Sequence, residues 1–523
     1  MQENNTPNWL KPISYAIVLV IGVGLGFFFK GNGSIASFQL SGSSPVQEII
    51  DLVKTKYVEP IVEDSAITKL ADQYLAQLDP HSVYIPPVEL NEVNEQLTSN
   101  FKGIGIEFQQ NRDSVFVMYV VKGGPADKAG LKIGDVLLKA DDSIQIAGKK
   151  WDGDALRAKL KGPADSQLKL KVLSGQTQKN IIITRGNIPV SPVDAAYTIK
   201  PGVGYIRINK FADRTYEAFM QALEPLIADS IKSLVIDLRG NGGGLLSEAV
   251  AIADELIPGN KLLVYTQGAH APRVDYNSKR EGLFEQGKLT VWLDESSASA
   301  SEVLAGALQD WDRATIIGTR SFGKGLVQQQ FRLSNGGALR LTTARYFTPL
   351  GRNIQRPYEK GKLEYEHAYL NRIEADDMGV PDSAVKGKAF KTPQGKLVYG
   401  GGGIYPDKWV ASNRMLLDSS YAQLWEQNIF NDFILHWYLQ HQAQMKSFKN
   451  TTDFLKEYQK IDLWKELNAF VQPAQLSLLK QIEKQKPVIQ NQLMAMLARM
   501  QWYKQGYYEV QNALDPKLAI MLP

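Results

Sequence analysis

The sequence predicts an α/β core that carries an inserted β-rich module, with an apolar segment ahead of them and a helical tail behind. Strand-like and helix-like runs alternate from Gly202 to about Asp310, and short β-branched runs separated by glycine turns fill Phe101 to about Arg185. Beyond Ser419 the chain is rich in Leu, Gln, Lys and Trp and poor in glycine, as amphipathic helices are. The 523 residues exceed one compact domain, and 44% apolar with 22% charged residues is an ordinary globular composition.

In chain order, the first element is the apolar run Ile13 to Phe29, about 26 Å long as a helix, which is marginal for a hydrocarbon core. Lys11 and Lys30 bracket it and give almost no orientation signal. Ser34-Ile35-Ala36 would suit a signal peptidase, but the run is longer than a usual signal core. An uncleaved anchor is therefore expected over residues 1–40, with a removed signal as the alternative and the bulk of the chain outside the cytoplasm on either reading.

After the Gly/Ser-rich stretch Gly31 to Pro45, helical spacing from Val46 to Leu97 puts Ile49, Ile50, Val53 and Tyr57 on one face. A helical region over 41–100 follows. The β-rich module takes 101–186, with Ile104-Gly105-Ile106-Glu107-Phe108 and Val115 to Val121 as its clearest strands. The core takes 187–415. Its expected strands are Val203 to Ile208, Leu234 to Leu238, Leu289 to Leu293 and Ala314 to Ile317, and its expected helices are Thr215 to Ile227, Leu245 to Ile257 and about Ser301 to Leu308. Helices fill 416–523.

Several function classes fall away on composition. A net charge of +4 is too small for nucleic acid to be the main partner, and the absence of cysteine removes thiol nucleophiles, disulfides and thiolate metal sites. The five histidines are scattered and none begins a His-Glu-x-x-His helix, so no metal is expected.

Three segments could carry chemistry. Ser296-Ser297-Ala298-Ser299-Ala300-Ser301-Glu302 stands where a strand ends and a helix begins, a place where backbone N–H groups stabilise an oxyanion. Ser299 with Glu302 also spells a capping box, so both readings stay open. In Ser321-Phe322-Gly323-Lys324-Gly325-Leu326-Val327-Gln328 a lysine lies between glycines in an apolar strand context. Such a lysine serves as a base when burial lowers its pKa from about 10.4, and is otherwise an exposed turn residue.

The same stretch imitates two other motifs. Gly318-x-x-x-x-Gly323-Lys324 begins like a phosphate loop, but Gly325 stands where Ser or Thr should bind magnesium, and Leu326, Val327 and Phe331 read as a strand. Ser321 and Lys324 spell Ser-x-x-Lys, yet the glycines oppose the helix that pair requires. The third segment, Val235 to Gly244, is a strand running into glycines that let a backbone amide approach a substrate. Leu245 denies it the third glycine of a dinucleotide fingerprint, and a plain tight turn is the other reading.

Together these segments resemble the carboxy-terminal processing (tail-specific) peptidases. The resemblance also takes in Leu78-Asp79-Pro80-His81-Ser82, Gly103-Ile104-Gly105-Ile106, Gly124-Pro125-Ala126, Ala129-Gly130-Leu131, Gly134-Asp135, Arg345-Tyr346-Phe347-Thr348-Pro349 and Gly402-Gly403-Ile404-Tyr405-Pro406-Asp407. It covers roughly residues 46 to 410. It implies a serine peptidase core of crotonase-like βα superhelix build with an inserted PDZ domain, using Ser299 as nucleophile, Lys324 as base and Gln328 to orient the lysine. Acyl transfer through a serine would require no cofactor.

It also implies an oxyanion hole from the N–H of Ala300 and of a glycine in the Gly242 to Gly244 turn, with Gly243 favoured. Gly103, Ile104, Gly105 and Ile106 would receive a terminal carboxylate while a peptide adds as a strand. Lys161 stands where an arginine can take part in gating in relatives. The expected partners are proteins or peptides with free, apolar C-termini, the membrane through the N-terminal segment, and further copies of the chain. A PDZ scaffold with an inactive core, and an acyl-CoA-processing enzyme, are the rival readings.

Overall fold

A computed structural model describes residues 45–59, 63–95, 98, 100–377, 387–411, 418–458 and 460–523. The expected anchor at 1–40 lies outside them. Among the described residues no helix is long and apolar enough to cross a membrane. The chain divides into two compact units, residues 1–69 and 70–523. The first holds helix Pro45–Lys56, whose apolar Ile49 and Val53 are exposed.

In the second unit, the α/β core is built on a six-stranded sheet. Val193–Lys200 pairs antiparallel with Val203–Ile208, and Ser233–Asp237, Lys288–Leu293, Thr315–Gly318 and Lys408–Trp409 follow in parallel. Parallel strands need crossovers, and helices Thr215–Ala228, Leu246–Asp254 and Ala300–Asp310 lie within them. Their apolar faces and the strands form one core that includes Phe219, Leu223, Ile236, Ile252, Val291 and Leu304. Helix Ala300–Asp310 is buried on all sides. Its N-terminus therefore meets the strand ends in a place with little water.

A second, antiparallel sheet joins Val83–Ile85, Ala338–Phe347, Leu262–Gly268 and Ala271–Asn277, with Leu326–Arg332 also on Ala338–Phe347. This hairpin brings the segment after Lys324 against the segment containing His81 and Ser82.

The β-rich module has the strands Ile106–Asn111, Ser114–Val120, Val136–Ala140, Gln167–Ser174 and Thr177–Thr184, with Ile106–Asn111 at the sheet edge. Its interior is a separate cluster around Val115, Val117, Leu137 and Leu168. Asn100–Gly103 pairs with Gly186–Pro189, so the chain enters and leaves the module side by side.

The tail forms helices from Ser419–Glu426 to Leu518–Met521; those up to Lys486–Ala513 surround a third apolar cluster, onto which Phe116, Met118 and Ile133 of the β-module pack, while Met521 packs with Tyr205 and Trp292 of the six-stranded sheet. The longest, Lys486–Ala513, is broken at Trp502 and Tyr503, whose dihedrals are non-helical.

Candidate active site

Ser299 closes the turn between strand Lys288–Leu293 and helix Ala300–Asp310, and it is partly exposed. Its backbone has φ 55° and ψ −114°, a conformation that costs a non-glycine residue about 1–3 kcal/mol. Neighbouring hydrogen bonds offset that strain. Ser297 Oγ donates to the Leu238 carbonyl at 2.9 Å, Ser301 Oγ donates to the Asn241 carbonyl at 2.9 Å, and Ala298 N–H donates to the same carbonyl at 3.0 Å. The nucleophile candidate and the glycine turn are thereby stitched together.

Glu302 lies fully buried one turn into the helix. Its Oε1 accepts from Ser321 Oγ at 2.5 Å and Gly323 N–H at 2.7 Å, while Oε2 accepts from the N–H groups of Ser299 and Lys324, both at 2.8 Å. Burial raises its pKa above the usual carboxylate range, and these four donors oppose that shift. The capping reading of Glu302 is thus correct at Ser299. The same carboxylate also anchors the loop that carries Lys324, which the sequence did not reveal.

Lys324 is half-buried and its Nζ donates to Gln328 Oε1 at 3.0 Å. Gln328 Nε2 in turn donates to the His81 carbonyl at 2.6 Å. Burial lowers the Lys324 pKa, and the Arg340 charge adds to this, against Glu302 and Asp79. His81 is held neutral, its pKa lowered to about 4 by burial and then by Lys324. Its loop is fixed by the Asp79 carboxylate, which accepts the N–H groups of His81 at 2.8 Å and Ser82 at 2.9 Å. The buried Tyr346 hydroxyl sits against the carbonyl oxygens of both Ser299 and Lys324.

Gly243 lies directly against the serine. A Cβ added there would meet the Ala298 oxygen at 2.5 Å, Ser299 Cβ at 2.7 Å and the Ala300 nitrogen at 2.9 Å, and its φ of +94° also demands glycine. Its N–H donates to Asn241 Oδ1 at 2.9 Å, while among the described residues the Ala300 N–H has no acceptor. Of the two expected oxyanion donors, one is therefore open and one is turned aside.

The Ser-x-x-Lys reading needed a helix through Ser321 to Lys324, and the phosphate-loop reading needed one after Gly323. Residues 320–325 have no regular structure and Leu326–Arg332 is a strand, so Ser321 supports Glu302 instead. Among the described residues no cluster of His, Cys, Asp and Glu could hold a metal ion.

In the β-module, Gly103, Ile104, Gly105 and Ile106 line a cleft of about 310 Å³ with Phe108, Leu160 and Lys161. Lys161 Nζ forms an ion pair with Glu95 Oε2 at 2.8 Å beside it.

Comparison with known proteins identifies these parts. A model of peptidase family S41 matches residues 202–360, a PDZ-domain model matches 103–184, and a family of unknown function matches 420–503. The chain is 33% identical over 350 residues to a carboxy-terminal-processing protease of Bartonella bacilliformis, covering 65% of this chain and 79% of that protein. It is 34% identical over 277 residues to a probable CtpA-like serine protease of Staphylococcus haemolyticus, covering 53% of this chain and 55% of that protein. Among solved structures, the photosystem II D1 C-terminal processing protease aligns at 30% identity over 61% of this chain and 86% of that chain, with a TM-score of 0.35.

The fold is thus an S41 peptidase core with a PDZ domain and a helical C-terminal region. The chain belongs to the carboxy-terminal processing serine peptidases of that family.

Proposed function

We propose that Ser299 and Lys324 form a catalytic dyad that cleaves proteins near apolar, free C-termini. Lys324 Nζ takes the Ser299 Oγ proton, and Oγ bonds to the peptide carbonyl carbon. The carbonyl oxygen becomes an anion held by the Ala300 N–H and by the Gly243 N–H once this leaves Asn241. When the C–N bond breaks, the proton on Lys324 passes to the leaving amine. Water then hydrolyses the ester through the same amine. Gln328 holds the lysine in line.

The observation that carries this reading is the shared anchoring of both residues by Glu302 Oε2, at the start of a buried helix, with the lysine pKa lowered by burial. In the same reading the PDZ cleft receives the substrate's terminal carboxylate on the Gly103 to Ile106 amides and gates the site. The enzyme acts outside the cytoplasm as an oligomer tethered through residues 1–40.

The test is mass spectrometry of peptides released from an unstructured protein substrate. Wild type should give products that end or begin near C-terminal tails, and Ser299→Ala and Lys324→Ala should give none. The same product set from Ser299→Ala would overturn the dyad, and no products from wild type would favour the inactive-scaffold reading.

A further inference from the structure

The C-terminal helical region has no role in the reading above, and residues 420–503 match a family of unknown function. Its contacts with the PDZ domain take in strand Ser114–Val120 and also the strand that would receive a substrate tail, Ile106–Asn111. Successive side chains of a strand point to opposite faces. In Ile106–Asn111, Ile106 and Phe108 line the tail cleft, while Glu107 and Gln109 turn to the helices. Glu107 Oε2 pairs with Arg499 Nη2 at 2.6 Å, and Glu107 Oε1 accepts from Tyr503 Oη at 2.9 Å. Gln109 Nε2 donates to Asp432 Oδ1 at 2.5 Å. Tyr119, the cross-strand partner of Glu107, stacks on Tyr503 with centroids 3.7 Å apart and an interplanar angle of 7°.

Tyr503 is also the residue at which the long helix breaks, with φ 55° and ψ −146°. Immediately beyond the break the helix grips the peptidase core. Lys504 Nζ pairs with Asp194 Oδ1 at 2.7 Å, and the Gln505 side-chain amide takes both backbone groups of Ala196, at 3.0 and 3.1 Å. Asp194 and Ala196 belong to the edge strand of the sheet whose third strand, Ser233–Asp237, leads into the glycine turn beside Ser299. One helix therefore holds the back of the tail-binding strand before its break and the edge of the catalytic sheet after it.

We propose that the helical region is a brace that positions the PDZ domain on the peptidase core and transmits tail occupancy to it through Glu107 and the break at Tyr503. The proposal rests on the reading of the PDZ cleft as a tail-binding gate. A peptide adding to the free edge of Ile106–Asn111 must settle that strand where its ladder is already irregular, between Glu107 and Phe108. Displacement of Glu107 pulls on Arg499 and Tyr503, and the broken helix passes the displacement to Lys504 and Gln505.

The experiment uses the full chain and an internally quenched peptide ending in three apolar residues, with either a free carboxylate or a C-terminal amide. The ratio of kcat/KM for the two is measured in wild type, Glu107→Gln, Arg499→Ala and Tyr503→Phe, the last of which keeps the ring stack. A wild-type ratio of about fivefold or more, the usual scale of coupling between sites, should fall towards one in the variants. Tail-peptide affinity, measured in the Ser299→Ala background, should stay close to wild type. Variants that melt lower but keep the wild-type ratio would show a purely structural contact and overturn the brace. A wild-type ratio of one would instead overturn the gating reading beneath it.

Discussion

Ser299 and Lys324, 25 positions apart, donate their backbone N–H groups to the same carboxylate oxygen, Glu302 Oε2, each at 2.8 Å. The turn bearing the serine and the loop bearing the lysine are thus hung from one atom, and no side chain of the proposed dyad is spent in joining them.

Glu302→Gln should therefore impair catalysis although Glu302 touches no substrate. An amide presents one acceptor oxygen and an NH2 group with two donors where four donors converge, and each buried group left without a partner costs about 1–3 kcal/mol. The expected outcome is a lower melting temperature together with at least a tenfold loss in kcat. A variant with wild-type kcat would show that the anchoring is dispensable.

The pH dependence should report Lys324. Burial lowers its folded pKa, so the neutral amine becomes available as pH rises, and kcat/KM should climb along an acid limb and level off below the usual lysine value. Gln328→Ala frees the amine to turn towards water. The limb should then move to higher pH and the plateau fall roughly tenfold to a hundredfold, the scale of a misplaced catalytic group. A limb that stays in place would separate Gln328 from Lys324.

Gly243→Ala should inactivate the protein with little change in the distant helical region. The methyl group has no space against Ala298, Ser299 and Ala300, and the φ of +94° adds about 1–3 kcal/mol of strain. Product formation should be lost while the tail peptide still binds, as followed by fluorescence anisotropy. Near-wild-type turnover would remove this turn from the reaction.

Asp432, which accepts from Gln109 of the PDZ domain, should make stability depend on pH. Burial raises its carboxyl to about 6, above the unfolded value near 3.9, so the folded state binds the proton more tightly. That contribution is fully present below about pH 4 and is lost as pH rises through about 6. Asp432→Asn should melt higher than wild type at pH 8 and equally near pH 4. A melting difference that does not change with pH would assign the effect elsewhere.

Much of this was legible in the residues. Hydrophobic periodicity located the strands Val203–Ile208 and Lys288–Leu293 and helix Ala300–Asp310, because each is a local pattern. Ser299 and Lys324 stood out because their surroundings repeat a known family's strings. The second sheet was not legible, since Ala338–Phe347 pairs with Val83–Ile85 and Leu262–Gly268 far away in the chain and no short-range signal encodes such pairing. Glu302 carried a signal, its offset of three from Ser299, but that offset speaks only of its own helix. Tyr346 and Asp79 lay inside quoted motifs without a role, and Glu107 and Arg499 meet across 392 positions.

The PDZ domain is joined to the core by a two-stranded ladder in which Lys102 lies opposite Asn187 and Gly103 opposite Gly186. Both connections cross at one narrow neck, so removing residues 104–185 and bridging the gap with a tight hairpin turn would leave the core's own backbone uninterrupted. The excision would not be silent, because Phe116, Met118 and Ile133 would no longer cover their part of the helical cluster. A shortened enzyme of this kind would need polar replacements on that uncovered patch before it could stay dispersed in solution.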